Sequence, residues 1–462
     1  MNLLMQNGTV AEAGKPPCRA DVLVLGGRIA AVAAHISRNE AEALMAADKL
    51  IRHSPGETRT IAGLSTETVF SKSGLNVLDA AGLHLLPGLV DAHCHLRDPG
   101  QEYREDIRTG TRSAAAGGFT DIACMPNTKP VADDKTVVRY IVEKAAREGV
   151  VRVHPIGSVT KGLEGVELSE MGTLKEAGIV AVSDDGRPIV SAAVMMKAIT
   201  YAAQFGLRVI SHCEDMDLAD GGSMNEGAVS TRLGLRGIPT AAEELMVSRE
   251  LVLAEYTGLP VHIAHVSTAL AVQLIREAKK RGVHVSAETC PHYFTLTEEA
   301  CEGYDTDAKM NPPLRTQRDL EAVIGGLRDG TLDMIATDHA PHHIDEKNVE
   351  FDKANNGIVG FETALPLALT HLVGPGLLSL PELVDRMSRA PAAMLGLPEK
   401  KVAAGFPADL VLVDLKAAWT VNRNTLASKG HNTPYHGWSL NGLVKLTMVA
   451  GTVVALDGKP VG

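Results

Sequence analysis

The chain has 462 residues, of which 45% are hydrophobic and 22% charged, the balance of a globular protein long enough for one large barrel and a smaller domain. Lys and Arg total 45 against 56 Asp and Glu, a formal net charge of -11, and only 3% of residues are aromatic. This argues against a nucleic-acid binder, which needs a basic patch and rings for base stacking.

The N-terminal MNLLMQNGTVAEAGK lacks the basic segment and apolar core of a signal peptide. Residues 1–82 then offer short β-like stretches, DVLVLGGRIAAVAA and LNVLDAAG. They are separated by a polar insert over about 36–72, expected to be a partly helical surface excursion without chemistry. From residue 83 short apolar runs alternate with helical segments. The predicted strands are LHLLPGLVDAHCH, FTDIACM, VVRVHPIG, IVAVSDD, LRVISHC, PVHIAHV, HVSAETC and LDMIATDH. Helices are expected at KTVVRYIVEKAAREG, SAAVMMKAITYAAQFG and TALAVQLIREAKKRG, the last two ending on a glycine stop. From 399 onward ADLVLVDL, LVKLTMVAG and TVVALDG return to a β pattern. No apolar run reaches the ~18 residues of a membrane-spanning helix. The six cysteines (Cys18, Cys94, Cys124, Cys213, Cys290, Cys301) form no CxxC pair and suit a reducing cytoplasm.

Eight strand-then-helix units predict an α/β fold with a closed parallel (β/α)8 barrel over 83–398. An open doubly wound sheet shares this periodicity, but no glycine-rich phosphate loop follows any strand. Residues 1–82 and 399–462 are expected to build one small β-sandwich together.

Chemistry concentrates where the predicted strands end. In Asp91-Ala-His93-Cys-His95 the two histidines share a strand face and can grip one metal. His212 ends VISHC, His265 ends HIAHV, Asp338 ends MIATDH and Asp185 follows IVAVSD. Four imidazoles and two carboxylates on the catalytic rim of a barrel would be costly without cations, and two Zn2+ ions would use every ligand. Arg97, two residues past His95, would share its face if the strand persists, and a guanidinium matches a carboxylate bidentately. The bland alternative is an ion pair with Asp98 or Glu105.

LPGLVDAHCHLRDPGQEYREDI, AGGFTDIACMPNT, AVSDDGRP, ATDHAPH and GIVGFETALP, in order over about 76–436, resemble the motifs of class I dihydroorotases in the amidohydrolase superfamily. The resemblance implies that His93, His95 and Asp338 bind one zinc and His212 and His265 a second. Asp185 and a hydroxide would bridge them, in place of the carboxylated lysine of hydantoinases and allantoinases. Asp184 is the adjacent alternative for the bridge; Lys175 and Lys197 read as helix-surface charges. It further implies Asp338 as the catalytic proton carrier, and His95, Arg97, Asn127, Asn311, His342 and the Asn356-Gly357 backbone as substrate contacts. The implied reaction is reversible hydrolysis of (S)-dihydroorotate to N-carbamoyl-L-aspartate in pyrimidine biosynthesis, by a homo-oligomer, a dimer or an assembly with aspartate carbamoyltransferase. An allantoinase or hydantoinase, or a non-catalytic partner of aspartate carbamoyltransferase, are the competing readings. The first needs a bridging lysine; the second should have lost zinc ligands.

Other histidines read as structural. His292 lies near the rim, His339 should face away from the site, His343 reads as exposed loop, and His35, His53, His371 and His436 are scattered. Cys94 should point away from its flanking histidines. The long polar stretch 343–357 reads as a mobile lid.

Overall fold

The computed structural model describes residues 1–47, 59–61, 63–65, 67–71 and 74–461. Eight short parallel strands position the site: β1 (Leu89–Cys94), β2 (Phe119–Cys124), β3 (Arg152–Pro155), β4 (Val182–Ser183), β5 (Val209–Ser211), β6 (Val261–Ile263), β7 (Val285–Thr289) and β8 (Met334–Ile335). The pairing order is β1-β2-β3 in one sheet and β4-β5-β6-β7-β8 in another. Single parallel bridges join Gly157, past β3, to Val182 of β4, and Cys94 of β1 to His339, past β8.

A helix follows each strand: α1 (Ile107–Ala116), α2 (Lys135–Glu148), α3 (Met171–Ala177), α4 (Ala192–Ala203), α5 (Ala241–Thr257), α6 (Ala269–Lys280), α7 (Gln317–Asp329) and α8 (Phe361–Ala368). Local chemistry sets their ends. Asp106 and Thr109 form a capping box on α1, and Thr316 and Asp319 another on α7. Ser191 and Thr268 cap α4 and α6. Gly206 and Gly282, the expected stops, lie just beyond those helices with φ of 63° and 84°.

Apolar residues sort into layers. Leu89, Ile122, Val209 and Val261 join the helix faces of Val138, Ile141, Ala198, Val247 and Ile275 in the largest core. Their strand neighbours Val90, Ala123, Ile210, Ala264 and Met334 form a separate small cluster, the alternation that β geometry imposes.

Both ends of the chain meet in one ten-stranded sheet. Asn2–Val10, absent from the sequence reading, pairs with Cys18–Leu25, which turns through Gly26-Gly27 into Arg28–Ala33. Leu410–Thr420 pairs antiparallel with both His84–Pro87 and Ser439–Val449. The predicted strand LHLLPGLVDAHCH is therefore two: His84–Pro87 belongs to the terminal sheet and Leu89–Cys94 begins the parallel series. Gly88 lies between the two, where a Cβ would sit 2.2 Å from Thr120 Oγ1 and only glycine fits. Within the polar insert a helix covers Arg38–Ala47, and Arg59–Ile61 pairs with Leu75–Asp79. Residues 48–58, 62, 66 and 72 of the insert, His53 included, lie outside the described residues. No helix among the described residues is long and apolar enough to cross a membrane.

Candidate metal centre and substrate pocket

His93 lies in β1, and His95, Asp185, His212, His265 and Asp338 follow β1, β4, β5, β6 and β8 within three residues. All are buried. Asp185 stands at the centre: its Oδ1 faces His93 Nε2 at 3.4 Å, His212 Nδ1 at 3.6 Å and His265 Nε2 at 3.7 Å, and its Oδ2 faces His95 Nε2 at 3.6 Å. Asp338 Oδ1 lies 3.1 Å from His95 Nε2 and 3.7 Å from His93 Nε2. His93, Asp185 and His265 form one group with metal-ligand spacing, and His93, His95 and Asp338 another.

Flanking acceptors orient the imidazoles. Glu288 Oε1 lies 2.7 Å from His93 Nδ1, so a proton shared there leaves Nε2 bare. That Nε2 is buried without a hydrogen-bond partner and looks onto two carboxylates. Lone pair facing anion is repulsive unless a cation sits between them. Asn127 Oδ1 takes His95 Nδ1 at 3.0 Å, and Glu214 takes His212 Nε2 at 3.1 Å. Burial opposes charge on His93, yet Asp185, Glu288 and Asp338 raise its pKa well above the imidazole value, so that in place of a cation they would draw a proton onto Nε2. Burial alone would raise Asp338, but the His95 hydrogen bond and the charges of His93 and His265 pull it down to about 2. The same contest, won by the imidazoles, keeps Asp185 well below the carboxylate range. The nitrogen and oxygen donors, the orphaned Nε2 and the surplus of lone pairs all fit divalent cations of the zinc type.

Asp184 faces the other way. Its Oδ1 accepts from the Val159 and Thr160 amides at 2.8 and 3.0 Å, and its Oδ2 from Thr160 Oγ1. Lys175 and Lys197 are exposed, and no lysine among the described residues lines the cavity.

Above the cluster opens a cavity of about 260 Å³. The structure brings His95, Arg97, Asn127, Asp185, His212, His265, Asn311, Asp338, His342, Asn356 and Gly357 to its wall; His93 lies beneath. Arg97 arrives by a different route from the one expected. β1 stops at Cys94, and Arg97 sits in a loop with φ of 59°. His265 and Asp338 also take left-handed backbone, φ of 33° and 46°, a strain of about 1–3 kcal/mol each that concentrates at functional sites. Arg97 Nε donates to Pro341 O at 3.3 Å and Nη2 lies 3.4 Å from His342 Nε2. Among the described residues no carboxylate forms an ion pair with it: Asp98 pairs with Lys144, and Glu105 with Ser428 and Thr109. Burial and the nearby Arg104 lower its pKa to about 10.

Asn127 and Asn311 carry double duty, Asn127 donating to Asp185 Oδ2 at 3.2 Å and Asn311 to Glu214 at 2.9 Å. Gly357, with φ of 120°, is required by close approach: a Cβ would lie 2.6 Å from Ala340 Cβ. Sequence reasoning missed Glu214, Glu288, His262 and Arg104. Glu288 was detectable as a charge inside the strand VSAET, and Glu214 by its spacing from His212. Arg104, bound to Glu346 and to Gln101 Oε1, carried no such signal. Cys94 Sγ reaches Ala123 O and belongs to the helix-facing core, and His339 stacks on Phe361 at 4.0 Å, both turned from the cavity as expected. The 343–357 stretch holds a short helix, Ile344–Lys347, whose buried Lys347 donates to Asn355 O at 2.7 Å and Gly357 O at 3.1 Å.

A family model described as dihydro-orotase-like matches residues 82–270. A dihydroorotase of Acetivibrio thermocellus is 61% identical over 382 residues, 83% of this chain and 90% of the relative. One of Ruminiclostridium cellulolyticum is 60% identical over 383 residues, with the same coverage of 83% and 90%. Among solved structures, the L-hydantoinase (dihydropyrimidinase) of Arthrobacter aurescens is similar with a TM-score of 0.83 at 26% identity, covering 100% of this chain and 97% of that one.

Proposed function

The chain belongs to the dihydroorotase family of cyclic-amide hydrolases, and from that premise we propose how its residues carry the reaction. The carrying observation is Asp185, one carboxylate whose two oxygens face four imidazoles beneath a cavity holding an arginine that no carboxylate among the described residues pairs with. In this reading His93, His95 and Asp338 would hold one Zn2+ and His212 and His265 a second, with Asp185 shared between the two. Bound there, the cations supply a nucleophile from water near neutral pH and polarise the ring amide carbonyl. Asp338, beside His95 on the cavity wall, takes the nucleophile's proton on a carboxylate oxygen and passes it to the leaving ring nitrogen. Arg97 and His342, 3.4 Å apart, receive the substrate carboxylate, with Asn127 and Asn311 beside it and the Asn356-Gly357 backbone opposite the ring. In reverse the same groups close the ring of N-carbamoyl-L-aspartate.

The scaffold proposed is a closed (β/α)8 barrel running from Leu89 to about 398 and carrying a small β-domain of 1–87 and 399–462, the expected boundary at 82/83 moving because His84–Pro87 pairs in the terminal sheet. Support for closure comes from the two parallel bridges that link the sheets and from the small inner cluster fed by β1, β2, β5 and β8 and by residues flanking β3, β4 and β6. Support for one small β-domain built by both ends of the chain comes from a core shared by Leu3, Met5, Val22 and Val24 with Leu410, Leu412, Leu446 and Met448. The six cysteines, all free, are consistent with a cytoplasmic enzyme.

The test is a rate comparison on dihydroorotate, allantoin and a simple hydantoin, with metal analysis of the same preparation. Fastest turnover of dihydroorotate with close to two zinc per chain is expected. Full activity without metal would sink the mechanism.

A further inference from the structure

We propose that Asn432, contributed by the C-terminal part of the chain, is a positioning residue that holds the substrate face of the cavity in shape. The proposal rests on the reading of the cavity around Arg97 and His342 as the dihydroorotate site. Asn432 lies between the strands Leu410–Thr420 and Ser439–Val449, far in sequence from any residue of the metal cluster. It is 4% exposed. Its Nδ2 donates to Ala340 O at 3.0 Å and to Gly357 O at 2.9 Å, and its Oδ1 accepts from His342 N at 3.0 Å. Its own carbonyl accepts from Val359 N at 2.9 Å.

Ala340, His342 and Gly357 all line the cavity, so a single amide ties together the loop after β8 and the loop before α8. Direct links between those loops include Ala340 N to Ile358 O at 2.7 Å and His342 Nε2 to Asn356 O at 2.8 Å. An amide suits the task because it offers two donors and an acceptor in one plane. A carboxylate of the same shape keeps the acceptor but turns two attractions toward carbonyls into repulsions. Alanine leaves buried carbonyls short of a donor. Either change frees His342 and Gly357 to shift, and displacements of about 1 Å at a binding surface are enough to impair recognition.

The segment that delivers Asn432 is fastened independently. Arg423 Nη1 bonds Asp307 Oδ2 at 2.7 Å, Lys429 Nζ bonds Glu102 O at 2.8 Å, and Tyr435 OH lies 2.7 Å from Thr295 Oγ1. Replacing Asn432 therefore loosens the loops it clamps, not the strap that carries it. Its bonds end on the loops and none reaches a metal ligand, so it acts on binding geometry and leaves the metal cluster in place.

Full-length Asn432→Asp and Asn432→Ala are compared with the unmodified chain and with Arg97→Met, measuring KM and kcat for dihydroorotate, zinc content and melting temperature. Both Asn432 variants are expected to raise KM by about tenfold or more with kcat within about threefold and zinc content unchanged. Asn432→Asp, the isosteric change, carries the test alone where the alanine variant does not fold. An unchanged KM in Asn432→Asp, with KM raised in Arg97→Met, overturns the role of Asn432 while leaving the pocket reading intact. Unchanged KM in Arg97→Met overturns the pocket reading itself, and with it this proposal. Loss of zinc and kcat together in Asn432→Asp overturns it too, because that marks general damage to the centre.

Discussion

Adjacent aspartates show how far one residue's surroundings decide its task. Asp184 spends its oxygens on the Val159 and Thr160 amides and the Thr160 hydroxyl, with burial raising its pKa to about 6. Asp185, next along the chain, looks onto four imidazoles. Asp185→Ala should therefore lower zinc content sharply. Asp184→Asn should leave zinc content unchanged and cost about 1–3 kcal/mol of stability, the penalty of a compromised buried network. Metal analysis beside a denaturation curve separates the two. Asp338→Asn should keep the fold and lose turnover by about 10²–10⁴, the contribution of a positioned proton carrier. Arg97→Met should weaken dihydroorotate far more than a carboxylate-free hydantoin; equal losses on both would reject the carboxylate assignment.

At the scale of elements, the strands present ligands from their ends and support them from within. β7 supplies no ligand to the cluster, but its Glu288 reaches His93 Nδ1 at 2.7 Å and His262 Nε2 of β6 at 3.2 Å. Burial would keep Glu288 neutral, but the hydrogen bonds and charges of His262 and His93 hold it well below the usual carboxylate range. Glu288→Gln should weaken zinc affinity by about 10–100-fold, the usual cost of losing an orienting acceptor, and competition with a chelator measures it. The 343–357 stretch, expected as a mobile lid, is anchored in this structure by Lys347 and by the Gly357 carbonyl shared with Asn432.

Across the whole molecule, a charge network joins the parallel strands to the terminal sheet on the side away from the cavity. Asp121 of β2 and Arg152 of β3 meet Lys400 and Asp409, with Lys400 Nζ 3.1 Å and Arg152 Nη1 2.8 Å from Asp409 Oδ2. Burial opposes charge on Asp121, but His154, Lys400 and Arg152 hold its pKa well below that of a free carboxylate. Asp409 is lowered in the same way by Arg152 and Lys400. A depressed folded-state pKa gives stability that is complete above about pH 4 and is lost as pH falls toward the folded value. Lys400→Met should thus destabilise the protein by about 3 kcal/mol at neutral pH, with the deficit shrinking below about pH 4. Denaturant unfolding at pH 7 and pH 3 measures it; an equal deficit at both would place its origin in packing.

The residues and order of this protein determined a great deal unaided. Strand–helix alternation follows from local periodicity, and the cluster of His93, His95, Asp185, His212, His265 and Asp338 from the rule that parallel strands deliver side chains at their C-terminal ends. Local pattern could not see the break at Gly88, because it follows from the different sheets that His84–Pro87 and Leu89–Cys94 join. It was the family resemblance, not local pattern, that put Asp185 ahead of Asp184, since their difference lies in partners distant in sequence. Strand alternation brought Arg97 to the right wall for the wrong reason: a left-handed turn put it there. Glu288, Arg104 and Asn432 gain their importance only from tertiary contacts, since a hydrogen bond is indifferent to the length of chain between its partners. What the chain could specify alone was chemistry at strand ends; which groups support that chemistry was decided by folding.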